Sequence, residues 1–334
     1  MNEHRKKVIL DVDTGTDDAL AILMALTDPG LEVIGITVTQ GNQPLENCVD
    51  NTLRVVDLLG ADVPVYAGCS APMVRSLSKG RMAQNPENVV SAEVDGKPVI
   101  LHPPHLDLPA PHSKPQQMHA CSYLVETLRR SEEKVTIIPV GPPTNVGMTF
   151  RMAPDLKDHV EEVVFMGGAV DRGNITPVGE ANFVHDPEAA KIVLDSGVNC
   201  RVITLNATHS AEMTRADADK ILALGTPAAK FVGELMKGRI LVGETLGWTE
   251  KGEKAGDALH DALAVAAVID PSVITDLRRQ KCDMDIAGGA ADGQLVVEHR
   301  NENDESVNTW VAYRADKPKF FEMLYRHVEA AGRL

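Results

Sequence analysis

The chain reads as an α/β protein: a single open, mostly parallel sheet flanked by helices, with a Rossmann-like core. Three observations predict it. Short apolar runs such as Val8-Ile9-Leu10 alternate with helical patterns along most of the 334 residues. Several runs, notably those at 135–140 and 162–166, are apolar without alternation, as strands covered by helices on both faces require. Polar residues recur where the runs end, and in open parallel sheets that is where ligands bind.

Taken in order, residues 7–13 form a strand and 17–27 a helix. That helix is apolar almost all round (Ala19, Leu20, Ile22, Leu23, Met24, Leu26), which predicts burial. Residues 31–39 are a strand, 45–59 a helix and 63–66 a short strand. Strands at 135–140 and 162–166 bracket a helix at 144–151. Then follow a helix at 187–194, an extended run at 200–205, helices at 211–224 and 227–236, and a very apolar helix at 258–269. The tail carries more polar strands at 294–298 and 306–313 and an amphipathic helix at 317–330. No compositional shift or internal repeat marks a boundary, so residues 1–334 read as one domain. Its irregular part is the loop at 68–115, with eight prolines and no periodicity. Loops of that length in a compact domain are functional or disordered. His102, His105 and His112 within it suggest a metal site, although the prolines favour an extended, exposed chain.

Composition narrows the partners. The net charge of −15, without a lysine- or arginine-rich block, speaks against nucleic acid and anionic membranes and suits a small-molecule enzyme. The five cysteines are scattered and never spaced as CxxC, which reads as free thiols in a reducing compartment. The basic start at 1–7 is followed by only three apolar residues, too short for a signal peptide, and no run could span a bilayer. A cytoplasmic protein is expected.

The most informative stretch is Asp11-Val12-Asp13-Thr14-Gly15-Thr16-Asp17-Asp18, four carboxylates in eight residues where a buried strand turns into a helix. Burying such charges unpaired costs several kcal/mol each. A hard divalent cation such as Ca²⁺ or Mg²⁺ removes the problem, and no Cys or His nearby favours a softer metal. Asp17 and Asp18 alone could simply favour the helix dipole. Asp11 and Asp13, two apart on one strand face, are not explained that way.

Further polar groups stand at other strand ends: Gln40-Gly41-Asn42, Gly141-Pro142-Pro143-Thr144-Asn145, Gly167-Gly168, Asn174, and the segment from Glu180 through Asn182 to Asp186-Pro187. His260-Asp261-Ala262 opens the apolar helix of the C-terminal half. Singly these are ordinary loop and cap residues, Asp261 for instance as a helix cap.

Together they resemble the nucleoside hydrolase family, the inosine-uridine preferring nucleoside N-ribohydrolases. The resemblance runs from about residue 8 to 270 and rests on five motifs in order. They are the DxDxGxDDA block at Asp11, GN at Gly41, MGG at Met166, the Asn174…Glu180-x-Asn182…Asp186-Pro187 spacing and HDA at His260. It implies Ca²⁺ held by Asp13, Asp18, Asp261 and the main-chain carbonyl of Val140. It implies that Asp13 also orients and deprotonates water, and that Asp17, Asn42, Asn174, Glu180 and Asn182 hold the ribose hydroxyls, with Met166 beneath the sugar. Asp11 would support these from behind, and His260 would protonate the departing base. Such groups suit the chemistry: an oxocarbenium-like ribosyl cation must be stabilised, a cation acidifies water, and vicinal hydroxyls need donors and acceptors together. A homodimer or homotetramer is the family habit.

The chain departs from the family pattern at Thr14, where proline is usual, and in the loop at 68–115, which lacks the histidine-glycine signature. Trp248, twelve residues before His260, is a candidate to face the base, although a tryptophan more often belongs to the core. Two other readings stand beside this one. A ribose- or nucleoside-binding protein without turnover would keep the same pocket. A haloacid-dehalogenase-type phosphatase would use Asp11-Val12-Asp13 as its nucleophile motif, but Gly15 occupies a position where that motif wants Thr or Val.

Overall fold

The computed structural model describes residues 5–78, 81, 90–94, 96–301 and 305–333. The first four residues of the basic start and part of the loop at 68–115 lie outside them.

Eight strands form one sheet. In chain order they are β1 (Lys6–Val12), β2 (Leu31–Val38), β3 (Val65–Ala67), β6 (Val135–Pro139), β7 (Val160–Met166), β8 (Cys200–Ile203), β11 (Ile274–Arg279) and β14 (Thr309–Ala315). Across the sheet the order is β11-β14-β8-β7-β6-β1-β2-β3. Every neighbouring pair is parallel except β11 with β14 at one edge. Two hairpin pairs lie outside it: β4 (Ser91–Val94) with β5 (Lys97–Ile100), and β12 (Cys282–Met284) with β13 (Leu295–Val297). β9 (Met213–Thr214) pairs with β10 (Gly256–Asp257).

One face of the sheet is covered by α1 (Thr16–Thr27), α2 (Leu45–Leu58), α10 (His260–Ile269) and α11 (Lys317–Ala331). The other is covered by α3 (Ala120–Arg130), α4 (Thr144–Met152) and α6 (Pro187–Leu194). Helix α1 is buried all round, with Ala19 through Met24 sealed from solvent, as its unbroken apolar pattern requires. α5 (Ala181–His185), α7 (Leu205–His209), α8 (Arg215–Leu222) and α9 (Pro227–Leu246) complete the described helices.

The sheet begins at β1 and grows outward through β2 and β3, then returns to β1's other side with β6. The crevice beyond the ends of β1 and β6 is thus the point where strand order reverses, where open α/β sheets bind ligands.

Several elements differ from the sequence expectation. The helix expected at 211–224 is split: Thr214 caps α8 by accepting a hydrogen bond from the Asp217 amide, and the residues before it pair as β9. The helix expected at 227–236 runs on to Leu246 and stops where Gly247 turns left-handed at φ 75°. α3, the β4–β5 hairpin, β11 and β12 carried no signal clear enough to predict. Among the described residues no helix is long and apolar enough to cross a membrane.

Candidate active site

β1 delivers Asp13 into the crevice. Its Oδ2 accepts a hydrogen bond of 2.6 Å from the Asn42 amide at the end of β2, while its buried Oδ1 has no hydrogen-bond partner. Gly41 and Gly141 pass on either side of the carboxylate, and a Cβ on either would collide with it. Asp18, on the first turn of α1, accepts from the Asp13 amide (3.1 Å), the Gly15 amide (2.9 Å) and Asn42 Nδ2 (3.2 Å). Asp18 therefore does cap its helix, but Asp261 from the start of α10 converges on the same place. Carboxylate oxygens of Asp17, Asp18 and Asp261 lie within 4.8 Å of one another, all buried.

Burial and mutual repulsion push Asp13 and Asp261 well above the usual carboxylate range and Asp18 up to about 6. Asp17 goes the other way. Burial works against its charge, but Arg239, His102 and His260 outweigh it and hold its pKa below the ordinary value. Arg239 supplies one positive charge against four carboxylates. An all-oxygen donor set, a deficit of positive charge and an unpartnered Asp13 oxygen fit a hard divalent cation.

Asp11 stands behind this cluster. Its carboxylate accepts from Thr37 Oγ1 (2.6 Å) and Asn145 Nδ2 (2.8 Å), and burial raises its pKa to about 7. Its main-chain oxygen accepts from the Val140 amide at 2.8 Å, which ties the end of β6 to β1. The Val140 carbonyl accepts from Asn182 Nδ2 at 2.7 Å.

The opposite wall is built by Glu180, which caps the short helix α5. Its oxygens accept from the amides of Asn182 (2.8 Å), Gly168 (2.9 Å) and Phe183 (3.2 Å), and burial raises its pKa to about 7. Asn182 also donates to the Met166 carbonyl at 3.1 Å. Asn174 accepts from the Ala181 amide at 3.0 Å on the exposed rim. Asp186, part of the sequence motif, caps α6 and accepts from Thr144 Oγ1 and the Met73 amide, both at 2.8 Å. Its part is architectural.

A cavity of about 460 Å³ is lined by Asp13, Asp17, Asn42, Val140, Met166, Asn174, Glu180, Asn182, His260 and Asp261. Asp18 and Asp11 sit behind its wall. Thus residues as far apart in sequence as Asp13 and Asp261 share one pocket. His260 Nδ1 lies 2.8 Å from Thr208 Oγ1, and burial lowers its pKa to about 3. Trp248 lines the mouth but is 62% exposed, so it is not a core residue.

Among the lining residues outside the set implied for the site, Arg239 and His102 bear directly on Asp17. Arg239 is buried and donates to Thr16 Oγ1 (2.7 Å), Asp17 Oδ1 (3.0 Å) and Asp257. An arginine followed by the apolar run Ile240-Leu241-Val242 is the signal, but the expected helix ended before it. His102 comes from the proline-rich loop. Its Nδ1 accepts from the Thr16 amide at 3.2 Å and lies 4.0 Å from Asp17. His105 and His112 instead pair with Asp50 (2.8 Å) and Asp57 (2.9 Å), so the loop histidines do not converge on a metal site.

Fold and site together define a class of α/β enzyme with a cation-ready acidic floor under a pocket of polar side chains at a sheet's switch point. The chain belongs to the inosine-uridine preferring nucleoside hydrolase family, whose model matches residues 8–322. It is 34% identical over 332 residues to the inosine-uridine preferring nucleoside hydrolase of Leishmania major, covering 98% of each chain. It is also 34% identical over 318 residues to the pyrimidine-specific ribonucleoside hydrolase RihA of Escherichia coli, covering 95% of this chain and 96% of that one. The purine-preferring ribonucleoside hydrolase of Gardnerella vaginalis superposes with a TM-score of 0.83 at 30% identity, covering 98% of this chain and all of that one. A plant nucleoside hydrolase gives a TM-score of 0.81 at 26% identity, covering 97% and 98%. The protein is an enzyme of Ca²⁺-dependent nucleoside hydrolysis, breaking the N-glycosidic bond to give ribose and free base.

Proposed function

We propose that Asp13, Asp18, Asp261 and the Val140 carbonyl hold the Ca²⁺ and that Asp13 also receives the proton of the attacking water. The observation that carries this is Asp13 Oδ1, buried and unpartnered, on a residue that lines the cavity together with Asp17 and Asp261 of the three-carboxylate cluster. When bound, the cation supplies positive charge that acidifies an adjacent water. Asp13 takes that water's proton as its oxygen bonds to C1′ and the bond from C1′ to the base nitrogen breaks. His260 delivers a proton to the departing base, with Thr208 fixing the ring at Nδ1 and leaving Nε2 for the base; burial keeps the imidazole neutral in the free enzyme, so it takes up that proton only once the pocket is filled.

Asp17, Asn42, Asn174, Glu180 and Asn182 grip the ribose hydroxyls, and Met166 packs beneath the sugar. Three amides already occupy Glu180, which leaves roughly one free lone pair of its four, enough for one hydroxyl. His102 and Trp248 stand on the base side. The named relatives differ in preference (inosine and uridine, pyrimidine, purine), so base choice follows from this cover. We place this chemistry in a single cytoplasmic catalytic domain that assembles as a homodimer or homotetramer; the five free thiols support the reducing compartment.

The experiment is release of reducing sugar from inosine, uridine and cytidine, with calcium measured in the purified protein. Turnover with about one Ca²⁺ per chain is expected. Full activity in protein stripped of metal would overturn the assignment.

A further inference from the structure

Away from the pocket, behind β3, two cysteines and a histidine come together. Cys69 follows β3, Cys121 lies in the first turn of α3, and His119 caps that helix. The sulfurs of Cys69 and Cys121 are 3.9 Å apart, and an imidazole nitrogen of His119 lies within 4.8 Å of both. The geometry points to a second metal centre, for a soft, tetrahedral cation of the Zn²⁺ class, held by Cys69, His119 and Cys121.

Three features support it independently of the catalytic assignment. A Zn–S bond of about 2.3 Å at a tetrahedral angle places two thiolate sulfurs roughly 3.8 Å apart. The observed separation needs no rearrangement to meet that, whereas a disulfide at about 2.05 Å requires the sulfurs to close by nearly half. Sulfur and imidazole ligands select this class of ion over Ca²⁺, so the two centres do not compete. The site also has a buried and an open side. Cys121 is buried, Cys69 is half-buried and His119 is exposed, so solvent can supply a fourth ligand.

The surroundings favour thiolate at Cys121 and oppose it at Cys69, whose thiol is held up by the Cys121 sulfur, by burial and by the Asp11 and Asp186 carboxylates, so a bound cation is what would ionise both. The N-terminus of α3 favours negative charge on Cys121. His119 Nδ1 currently accepts from the Cys121 amide at 3.2 Å, so its lone pair already points into the turn that carries the sulfur. The centre would clip the end of β3 to α3. It also touches the catalytic floor: the Cys69 amide donates to Asn145 Oδ1 at 2.8 Å, and Asn145 in turn holds Asp11. Cys48, Cys200 and Cys282 are buried elsewhere and take no part.

The test uses the calcium-loaded full chain, kept reduced and in excess Ca²⁺, titrated with Co²⁺ and then with Zn²⁺. Expected is a thiolate-to-cobalt charge-transfer band that saturates at one equivalent and is bleached by Zn²⁺. Cys121→Ser and Cys69→Ser should each abolish it, and His119→Ala should weaken binding roughly tenfold or more. Asp18→Asn should leave the band intact. The partly exposed Cys69→Ser keeps the test alive should Cys121→Ser fail to fold. Absence of a thiolate band, its survival in Cys69→Ser, or loss of two thiols to a disulfide without metal uptake would overturn the proposal.

Discussion

The turns that carry Asp13, Asn42 and Met166 and the loop that carries His102 line one cavity, yet they are anchored differently. The turns continue buried parallel strands, and their positions are set by the sheet ladder and by amides donated into carboxylates. The loop is stitched to one stripe of α2. Asp50 pairs with His105, Asn51 accepts from the Leu106 amide, Arg54 donates to the Leu108 carbonyl, and Asp57 accepts from the His112 amide. Just before that helix, Gln43 donates to the His102 carbonyl at 2.8 Å. Positions 50, 54 and 57 share one helix face, so one stripe of α2 anchors the stretch from His105 to His112. The floor belongs to the core of the molecule and the cover to its surface, so changes to the floor should strike chemistry and changes to the cover should strike binding.

The largest effect is expected on the floor. Asp13→Ala should lose bound calcium and turnover together, by roughly 10⁴-fold or more in kcat if one residue serves both as ligand and base. Calcium content and kcat of the same preparation check this; a calcium-replete variant with near-normal turnover would break the contrast. Next comes the sugar. A 2′-deoxynucleoside leaves buried polar groups of the grip unpaired, for a loss of about 10⁴-fold in kcat/KM. Near-equal values for inosine and deoxyinosine would remove Asp17 and the asparagines from that role.

His260 lies between floor and cover. His260→Ala should lower kcat on inosine or uridine by about 10²–10⁴-fold. The same variant should be near normal on p-nitrophenyl riboside, whose leaving group departs without a proton. Equal losses on both would make His260 a positioning residue for Asp261.

The smallest effect belongs to the cover and appears with pH. Burial lowers the pKa of His102 to about 4; neighbouring Asp17 opposes that shift and Arg239 adds to it. A depressed folded pKa means that the docked loop is fully favoured above the ordinary value near 6.5 and loses favour as pH falls from there toward 4. At pH 5.5 the linkage weakens the docking equilibrium by about tenfold relative to pH 7.5, and KM rises by up to that factor. His102→Asn should flatten that rise; an unchanged profile would show that the loop does not open when His102 takes a proton.

Much of the floor was legible because its signals are local. Asp11, Asp13, Asp17 and Asp18 fall within one strand-to-helix turn, and His260-Asp261 opens one helix, so charge density and apolar flanks mark them. The cover was not. His102 reaches Thr16 across 86 positions and Arg239 reaches Asp17 across 222, and such partners leave no periodic trace. Helix α3 sits just past a proline-rich stretch and β11 is an exposed edge strand, so neither had the unbroken apolar run that revealed β6 and β7. The extension of α9 beyond Met236 was missed for a related reason: Lys237, Gly238 and Arg239 interrupt the apolar pattern just where the helix turns its arginine inward.

That inward arginine has a consequence for what the pocket admits. By keeping Asp17 ionised, Arg239 leaves it a pure acceptor with no proton to offer. Any ligand oxygen that meets Asp17 must therefore bring its own hydrogen. A 2′- or 3′-O-methyl ether, although it keeps the ribose oxygen in place, arrives with lone pairs facing lone pairs and a methyl group where the hydrogen should be. Nucleosides carrying that cap on the hydroxyl Asp17 reads should pass the enzyme by uncut, spared by the missing proton as much as by bulk.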